Sequence, residues 1–187
     1  MNEIDIANFA LIQIGGEQIT SLTEDSQEAR LMNRIFYPSL ETLLQEHPWN
    51  FATKRASLAL STDTPVYGYT YAYVIPSDCL QIIEFENWDD GYDYVVEDGK
   101  VLSNADTCKV TYKENIRDMN KLSPLFRQAF ISYLAANLAP YLTNTAQYAQ
   151  GASQQFIMYL RKAKVQNARE SKKFKTTNGD WLTVRNT

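Results

Sequence analysis

The sequence predicts an α+β protein that is mainly α: an antiparallel helical bundle with a central β-rich insertion. Apolar residues recur at helical spacing at both ends of the chain, whereas β-branched and aromatic residues alternate in the middle. Each helical end carries an apolar face, so the two ends can pack together while the strands project between them. The expected boundaries are 1–55 and 120–174 for the two helical parts, 56–119 for the insertion and 175–187 for an extended tail.

The first helix is expected over residues 3–14. Asn2 can cap its N-terminus, and Asp5 places negative charge in the first turn, where the helix dipole favours it. Gly15 and Gly16 end the helix, because glycine accepts the left-handed conformation of a C-terminal cap. The predicted buried stripe consists of Ile6, Ala10, Leu11 and Ile14.

A long amphipathic helix is predicted next, with Ser26 as a candidate cap and Pro38 as a kink. It ends at residues 47–52, HPWNFA, because Pro48 cannot continue a helix and pushes His47 out of the α region. The aromatic residues that follow need an apolar environment. We interpret Pro48, Trp49 and Phe51 as a structural plug that pins the helix end to a second layer. The apolar face is predicted to contain Leu31, Ile35, Leu40, Leu43 and Leu44.

The insertion shows the alternation and turn residues of strands. Residues 57–61 alternate, and residues 67–74 are rich in tyrosine, which indicates a strand or an extended arm. The clearest signal is Asp98 followed by Gly99 between two β-rich runs, which is typical of a two-residue hairpin turn. The other predicted strands cover residues 80–86, 92–96, 100–102 and 109–112.

Two more helices are predicted after the insertion. Ser123 followed by Pro124 combines a cap with proline at the first helical position. Asn144 is expected to cap the last helix, which reaches about residue 173. The predicted apolar stripes are Phe126, Phe130, Tyr133, Leu134 and Tyr141 in the third helix and Tyr148, Ala152, Phe156, Tyr159 and Ala163 in the fourth.

Length, charge and cysteine content exclude several classes of protein. The 187 residues suit one domain, or a core with an insertion, and the net charge of −4 argues against a protein that mainly grips nucleic acid. Cys79 and Cys108 form no C-x-x-C pair, so we expect two buried free thiols. The N-terminus lacks the basic region of a signal peptide, and the longest apolar stretch, 129–142, is too short to span a bilayer. We expect a soluble protein made in a cytoplasm.

The sequence contains no specific signature of catalysis or of a cofactor. The glycine-rich phosphate motifs and the nucleophile motif G-x-S-x-G are missing, and His47 is the only histidine. The acidic run from Asp89 to Asp93 lacks the spacing and distal glutamate of a calcium loop. We therefore expect no catalytic residue, no cofactor and no metal site. A pair of carboxylates for glycoside hydrolysis remains open, because its geometry is not visible in a sequence.

Five stretches carry a resemblance when they are taken in order. They are residues 10–15 (ALIQIG), 47–56 (HPWNFATKRA), 71–80 (YAYVIPSDCL), 96–102 (VEDGKVL) and 130–143, which includes AANLAP. In this order and spacing the chain resembles tail tubular protein A, the head-to-tail adaptor family of short-tailed, podovirus-type bacteriophages. The resemblance covers about residues 5–172, and the last dozen residues match nothing in that family.

The resemblance implies a structural protein of the virion, made in the bacterial host cytoplasm and located in the phage neck. Adaptors of this family form a ring of about twelve copies below the portal protein. They receive the tail nozzle protein, tail tubular protein B, on the other side. Double-stranded DNA would pass through the ring without sequence-specific contact. We expect no membrane partner.

Charge is distributed unevenly and indicates two different partner surfaces, or head-to-tail association of subunits. Acidic residues dominate residues 57–107, where Lys100 is the only basic residue, whereas bases dominate from Arg161 onward. We expect the basic side to dock on the portal. The acidic side would face the nozzle or the lumen, where negative charge repels phosphates. The portal-docking candidates are Arg161, Lys164, Lys172, Lys173, Lys175, Trp181, Leu182 and Arg185, and the nozzle- or lumen-facing candidates are Asp89, Asp90, Asp93, Glu97 and Asp98.

Two other function classes stay open at this point. One is a carboxylate-dependent cell-wall hydrolase, in which the removal of one aspartate or glutamate would abolish peptidoglycan cleavage. The other is a small nucleic-acid-binding module that uses the basic C-terminal helix, for which duplex binding would be sensitive to salt.

Overall fold

A computed structural model describes residues 1–86, 91–143 and 145–170 of the chain. In that part, four α-helices and six β-strands form an α+β fold that is mainly helical, as the sequence predicts. The expected cap Asn144 lies outside the described residues. The helices are α1 (Glu3–Gln13), α2 (Gln27–Gln45), α3 (Pro124–Leu142) and α4 (Ala146–Glu170), and the strands are β1 (Thr53–Ser57), β2 (Tyr71–Val74), β3 (Cys79–Phe85), β4 (Tyr94–Glu97), β5 (Lys100–Ser103) and β6 (Lys109–Glu114).

The first two helices have the caps that the sequence indicates. Asn2 and Asp5 form a capping box, in which each side chain accepts a hydrogen bond of 2.8 Å from the other residue's backbone N–H. Gly15 follows the end of α1 with a φ of 72°. The Ser26 hydroxyl accepts a hydrogen bond from the backbone N–H of Ala29 and caps α2. These local signals therefore fix where both helices begin.

Helix α3 lies at the centre of the bundle, because it packs against α1, α2 and α4. A one-sided apolar stripe was the expectation, but a helix covered on several sides needs apolar residues around most of its circumference. The predicted stripe is also wrong at Tyr141, which is 68% exposed near the end of the helix. The buried residues are Phe126, Ala129, Phe130, Ile131, Ser132, Leu134, Ala135, Leu138 and Ala139.

The buried faces of α2 and α4 differ from the prediction in part. Met32 and Phe36 are fully buried, whereas Leu31 and Ile35, each one position earlier, are only partly buried. The helix is therefore rotated so that its larger side chains enter the core. In α4, Tyr148 is half exposed, since it lies in the first turn with its hydroxyl beside the end of α1 and not in the core.

The insertion forms two antiparallel three-stranded sheets, in the orders β1-β6-β3 and β2-β5-β4. The predicted turn at Asp98 and Gly99 joins β4 to β5, and both residues have positive φ, 46° and 68°. A type I′ hairpin turn requires this conformation at both positions. A second apolar core lies between the two sheets and contains Leu58, Tyr73, Phe85, Val101, Ala105, Cys108, Val110 and Tyr112.

Two predicted strands occupy other residues. The strand expected over 57–61 is β1, which ends at Ser57 and pairs with β6. The chain then crosses from one sheet to the other, so the alternation of 57–61 reflects this crossing: Leu58 enters the second core, whereas Leu60 is exposed and forms a single bridge. The strand or arm expected over 67–74 forms regular structure only from Tyr71.

Both cysteines are free thiols. Cys108 is buried between the sheets, and burial raises its pKa to about 11, so the thiol stays protonated at neutral pH. Cys79 is half-buried at the start of β3, so the expectation of two buried thiols holds fully for Cys108 alone.

Trp49 is fully buried at the chain reversal after α2. Its indole Nε1–H donates a hydrogen bond of 2.9 Å to the carbonyl of Leu43, in the last turns of α2. The ring stacks on Phe51, with centroids 5.7 Å apart, and meets Phe126 edge-on at 5.0 Å. Pro48 itself is exposed. The indole therefore joins the end of α2 to the central helix α3.

We expect replacement of Trp49 by alanine to lower the free energy of unfolding by roughly 3–5 kcal/mol, because it leaves a cavity and an unpaired buried carbonyl. Urea unfolding measures this change. Tyr141→Ala, which removes an exposed aromatic side chain, is the matched control and is expected to stay within about 0.5 kcal/mol of the wild type. Wild-type stability of Trp49→Ala would contradict the plug interpretation.

Candidate interaction surfaces

Asn167, on the buried side of α4, holds the turn that follows α2. The backbone N–H of Asn50 donates to Asn167 Oδ1 at 2.8 Å, and Asn167 Nδ2 donates to the carbonyl of Pro48 at 3.1 Å. A backbone N–H can only donate, so these contacts fix which end of the amide is oxygen. The sequence interpretation missed Asn167. Its signal is its position, four residues after Ala163, which continues the buried stripe of α4.

His47 is the third partner of this amide. Its Nε2 lies 3.2 Å from Asn167 Nδ2, which is a donor, so Nε2 accepts and the imidazole is neutral with its proton on Nδ1. Burial lowers the pKa of His47, and the positive charges of Lys164 and Lys113 lower it further, while Glu46 opposes them. The neutral ring is therefore a structural part of the contact between α4 and the turn.

The outer face of α4 exposes apolar side chains. Ile157 is 57% exposed and Val165 is 48% exposed, and Met158 is half-exposed beside them. Two shallow grooves of about 420 and 440 Å³ lie on this face and share Arg161 and Val165. We call Ile157, Met158, Arg161, Val165 and Arg169 the α4 outer face.

The portal-docking candidates are placed only in part. Arg161 is exposed and forms no ion pair with any residue that the structure describes, and the same holds for Arg169. Lys164 instead pairs with Glu46 at 2.8 Å, so its charge is already used to hold α4 against the end of α2. The other candidates, Lys172, Lys173, Lys175, Trp181, Leu182 and Arg185, lie outside the described residues.

The acidic candidates lie around the β4–β5 hairpin. Asp93, Glu97 and Asp98 are exposed, and none of them forms an ion pair within residues 1–86, 91–143 and 145–170. Lys100, the nearest base in sequence, pairs instead with Asp63 at 2.8 Å. Glu97 and Asp98 therefore place negative charge at the hairpin tip, where the charge of Lys100 also acts on Asp98, and Asp93 adds negative charge at the other end of β4. Asp89 and Asp90 lie outside the described residues.

A larger groove of about 940 Å³ lies on the sheet that contains β1, β6 and β3. It contains Glu84 on β3 and Glu86, which follows the end of that strand, together with Arg55 and Lys109. Glu86 lies 3.6 Å from Lys109, an exposed ion pair. These are the carboxylates that a hydrolase reaction at this groove would have to use. Within the described part of the chain, no cluster of three histidine, cysteine or acidic residues is arranged to hold a metal ion.

The five stretches that resemble the phage adaptors fall at structurally distinct places. They form the end of α1, the reversal at Trp49 with β1, the connection from β2 to β3, the β4–β5 hairpin and most of α3. No protein-family model matches the sequence, and no curated protein is significantly similar to it. None of the helices described here has both the length and the apolar composition to cross a membrane.

Acid is expected to weaken the contact between α4 and the turn, because burial and the positive charges of Lys164 and Lys113 disfavour a protonated His47. The folded state lowers the pKa of His47, so this stabilisation is complete above the ordinary value of 6.5. It is lost as the pH falls from there through the lowered pKa. Urea unfolding of the wild type and of His47→Gln, measured over a pH series, tests this.

The difference in unfolding free energy between the two proteins is expected to shrink as the pH falls below about 6.5. Parallel stability curves for the wild type and His47→Gln over the whole pH range would refute this account.

Proposed function

We propose that this protein is a structural virion protein, the head-to-tail adaptor of a short-tailed bacteriophage. In this proposal its copies form a ring between the portal and the tail nozzle protein, and the ring seals and extends the DNA channel. The ordered set of sequence stretches supports the family. The observation that carries the proposal is the α4 outer face, where exposed apolar side chains lie beside cations without carboxylate partners in the described residues.

The chemistry of the α4 outer face favours a protein partner. Apolar groups with charged groups around them are typical of the centre and rim of a protein interface. A matching portal surface would supply apolar side chains surrounded by carboxylates. Asn167 and the ion pair between Lys164 and Glu46 hold the C-terminal half of α4 in place, so little ordering would oppose binding.

The acidic hairpin has a different role in this proposal. Asp93, Glu97 and Asp98 would face the nozzle or the lumen of the ring. Negative charge at the lumen would repel DNA phosphates, so that the duplex slides past without binding.

Native mass spectrometry of the protein with a purified portal ring tests the proposal directly. We expect portal-bound copies in a ring-sized number, about twelve. The protein alone provides the baseline mass. A protein that stays monomeric and does not bind the portal would contradict the adaptor function. Assays of the Glu84 and Glu86 groove for peptidoglycan cleavage would then be the next experiment.

Charge reversal on the α4 outer face tests which surface binds. Arg161→Glu is expected to weaken portal binding by about tenfold or more, because it places a carboxylate opposite the acidic rim of the partner. Arg34→Glu is the matched control, since it changes the same exposed residue type on α2. Surface plasmon resonance on an immobilised portal measures both. Equal affinities of the two variants would exclude α4 as the docking face.

Deletion of residues 175–187 is expected to weaken portal binding and to leave the fold intact, because the tail that follows α4 in the sequence carries Lys175, Arg185 and Trp181. The same binding measurement, with circular dichroism as the check of folding, tests this. Unchanged portal affinity would remove the tail from the docking site.

A further inference from the structure

Residues 61–70 form an arm that exposes two large apolar side chains. Val66 is 95% exposed and Tyr67 is 87% exposed, the highest values among the exposed large apolar residues of the described chain. Gly68 follows with a φ of 84°, and no heavy atom lies within 4 Å of the position of a Cβ there. The tip therefore contacts neither core of its own copy.

The base of the arm is held on both sides. Asp63 pairs with Lys100 of β5 at 2.8 Å. The backbone N–H and the hydroxyl of Thr70 both donate to Asn104 Oδ1, at 2.9 and 3.0 Å. These contacts fix the base of the arm, so the tip would lose less conformational entropy on binding. The ion pair with Lys100 also balances the charge of Asp63, which is the one charged residue between 61 and 70. The tip is therefore apolar and uncharged.

An uncharged groove of about 450 Å³ lies between the end of α1 and the first turns of α4. Gln13, Tyr148, Gly151 and Gln155 are among its lining residues, and none of the lining residues is charged. Phe9, one turn before Gln13 on the same side of α1, is half exposed. The volume lies within the roughly 300–1,000 Å³ of pockets that bury small ligands, so an aromatic side chain fits.

Gly151 lies in the interior of α4 and lines this groove. Glycine weakens a helix interior relative to alanine, and no heavy atom lies within 4 Å of where its Cβ would be. The single copy therefore gives no steric reason for a glycine at this position. Close approach of another side chain to the helix backbone would give one.

We propose that Val66 and Tyr67 of one copy insert into the α1–α4 groove of a second copy. The tip and the groove match because both are uncharged, whereas each of the three grooves described above contains at least one charged residue. Within one copy the tip is exposed and the groove is open, so the contact forms between copies. It uses two different patches, and such a contact repeats from copy to copy in one direction.

This contact rests on the self-association in the proposed function, and it assigns residues to that association. Cysteine cross-linking between full-length copies tests it. Val66→Cys protein is mixed with an equal amount of Gln155→Cys protein and oxidised. We expect a disulfide-linked dimer in the mixture and none with either variant alone, because tip meets groove and not tip.

Gln154→Cys is the matched control for the groove position, since Gln154 is the same residue type, exposed on the same helix and outside the groove lining. A dimer of equal yield with Gln154→Cys would overturn the contact. The contact would also be overturned if the ring forms normally but positions 66 and 155 do not cross-link. That result would not contradict the adaptor function. A protein that is monomeric and ignores the portal would overturn both.

Association measured by sedimentation provides the second test. Tyr67→Ser is expected to weaken association by about tenfold or more, whereas Tyr141→Ser, at another exposed tyrosine, leaves it unchanged. Gly151→Leu is expected to fill the groove and block association, with thermal stability at or above that of the wild type because leucine favours the helix. Normal association of Gly151→Leu would refute the proposal.

Discussion

The hydrogen bond from the Trp49 indole to the carbonyl of Leu43 determines how the chain leaves α2. The last carbonyls of a helix lack partners within the helix, and a buried one needs a donor from elsewhere. Trp49 supplies that donor inside the core. The residues on both sides of Trp49, Pro48 and Asn50, then bind Asn167 of α4. Thr53 at the start of β1 donates its hydroxyl to the carbonyl of Trp49 at 2.7 Å. Trp49 thus helps to position both the last described helix, α4, and the first strand, β1.

Helix α4 is built with two unlike sides, and this difference explains its sequence. Ala152, Ala163 and Asn167 form its buried side, where small residues allow close approach to α3 and the amide holds the turn. On the open side, apolar and cationic side chains alternate and are exposed, so they pack in neither core. An amphipathic helix in a single-chain bundle needs only the first side. The second is the part of α4 that a partner would explain.

The sequence predicted what local chemistry decides. The capping box at Asn2, the cap at Ser26 and the Asp98–Gly99 turn depend on residues close in sequence, and the structure has them where expected. Features that depend on distant contacts were missed. Neighbouring elements, which the periodicity of the sequence does not reveal, determine three of these features. They are the rotation of α2 toward Met32 and Phe36, the burial of α3 around most of its circumference and the end of β1 at Ser57. Asn167 was missed for the same reason, because its partners lie about 120 residues earlier.

The chain has two apolar cores of unequal size, one among the helices and a smaller one between the sheets. Since local opening is easiest where few apolar side chains are buried, the two sheets form a less stable cooperative unit than the bundle. Backbone amides of β2, β4 and β5 would accordingly lose their hydrogen-exchange protection before those of α3. The hairpin end is therefore expected to open at a lower free-energy cost than the helical bundle.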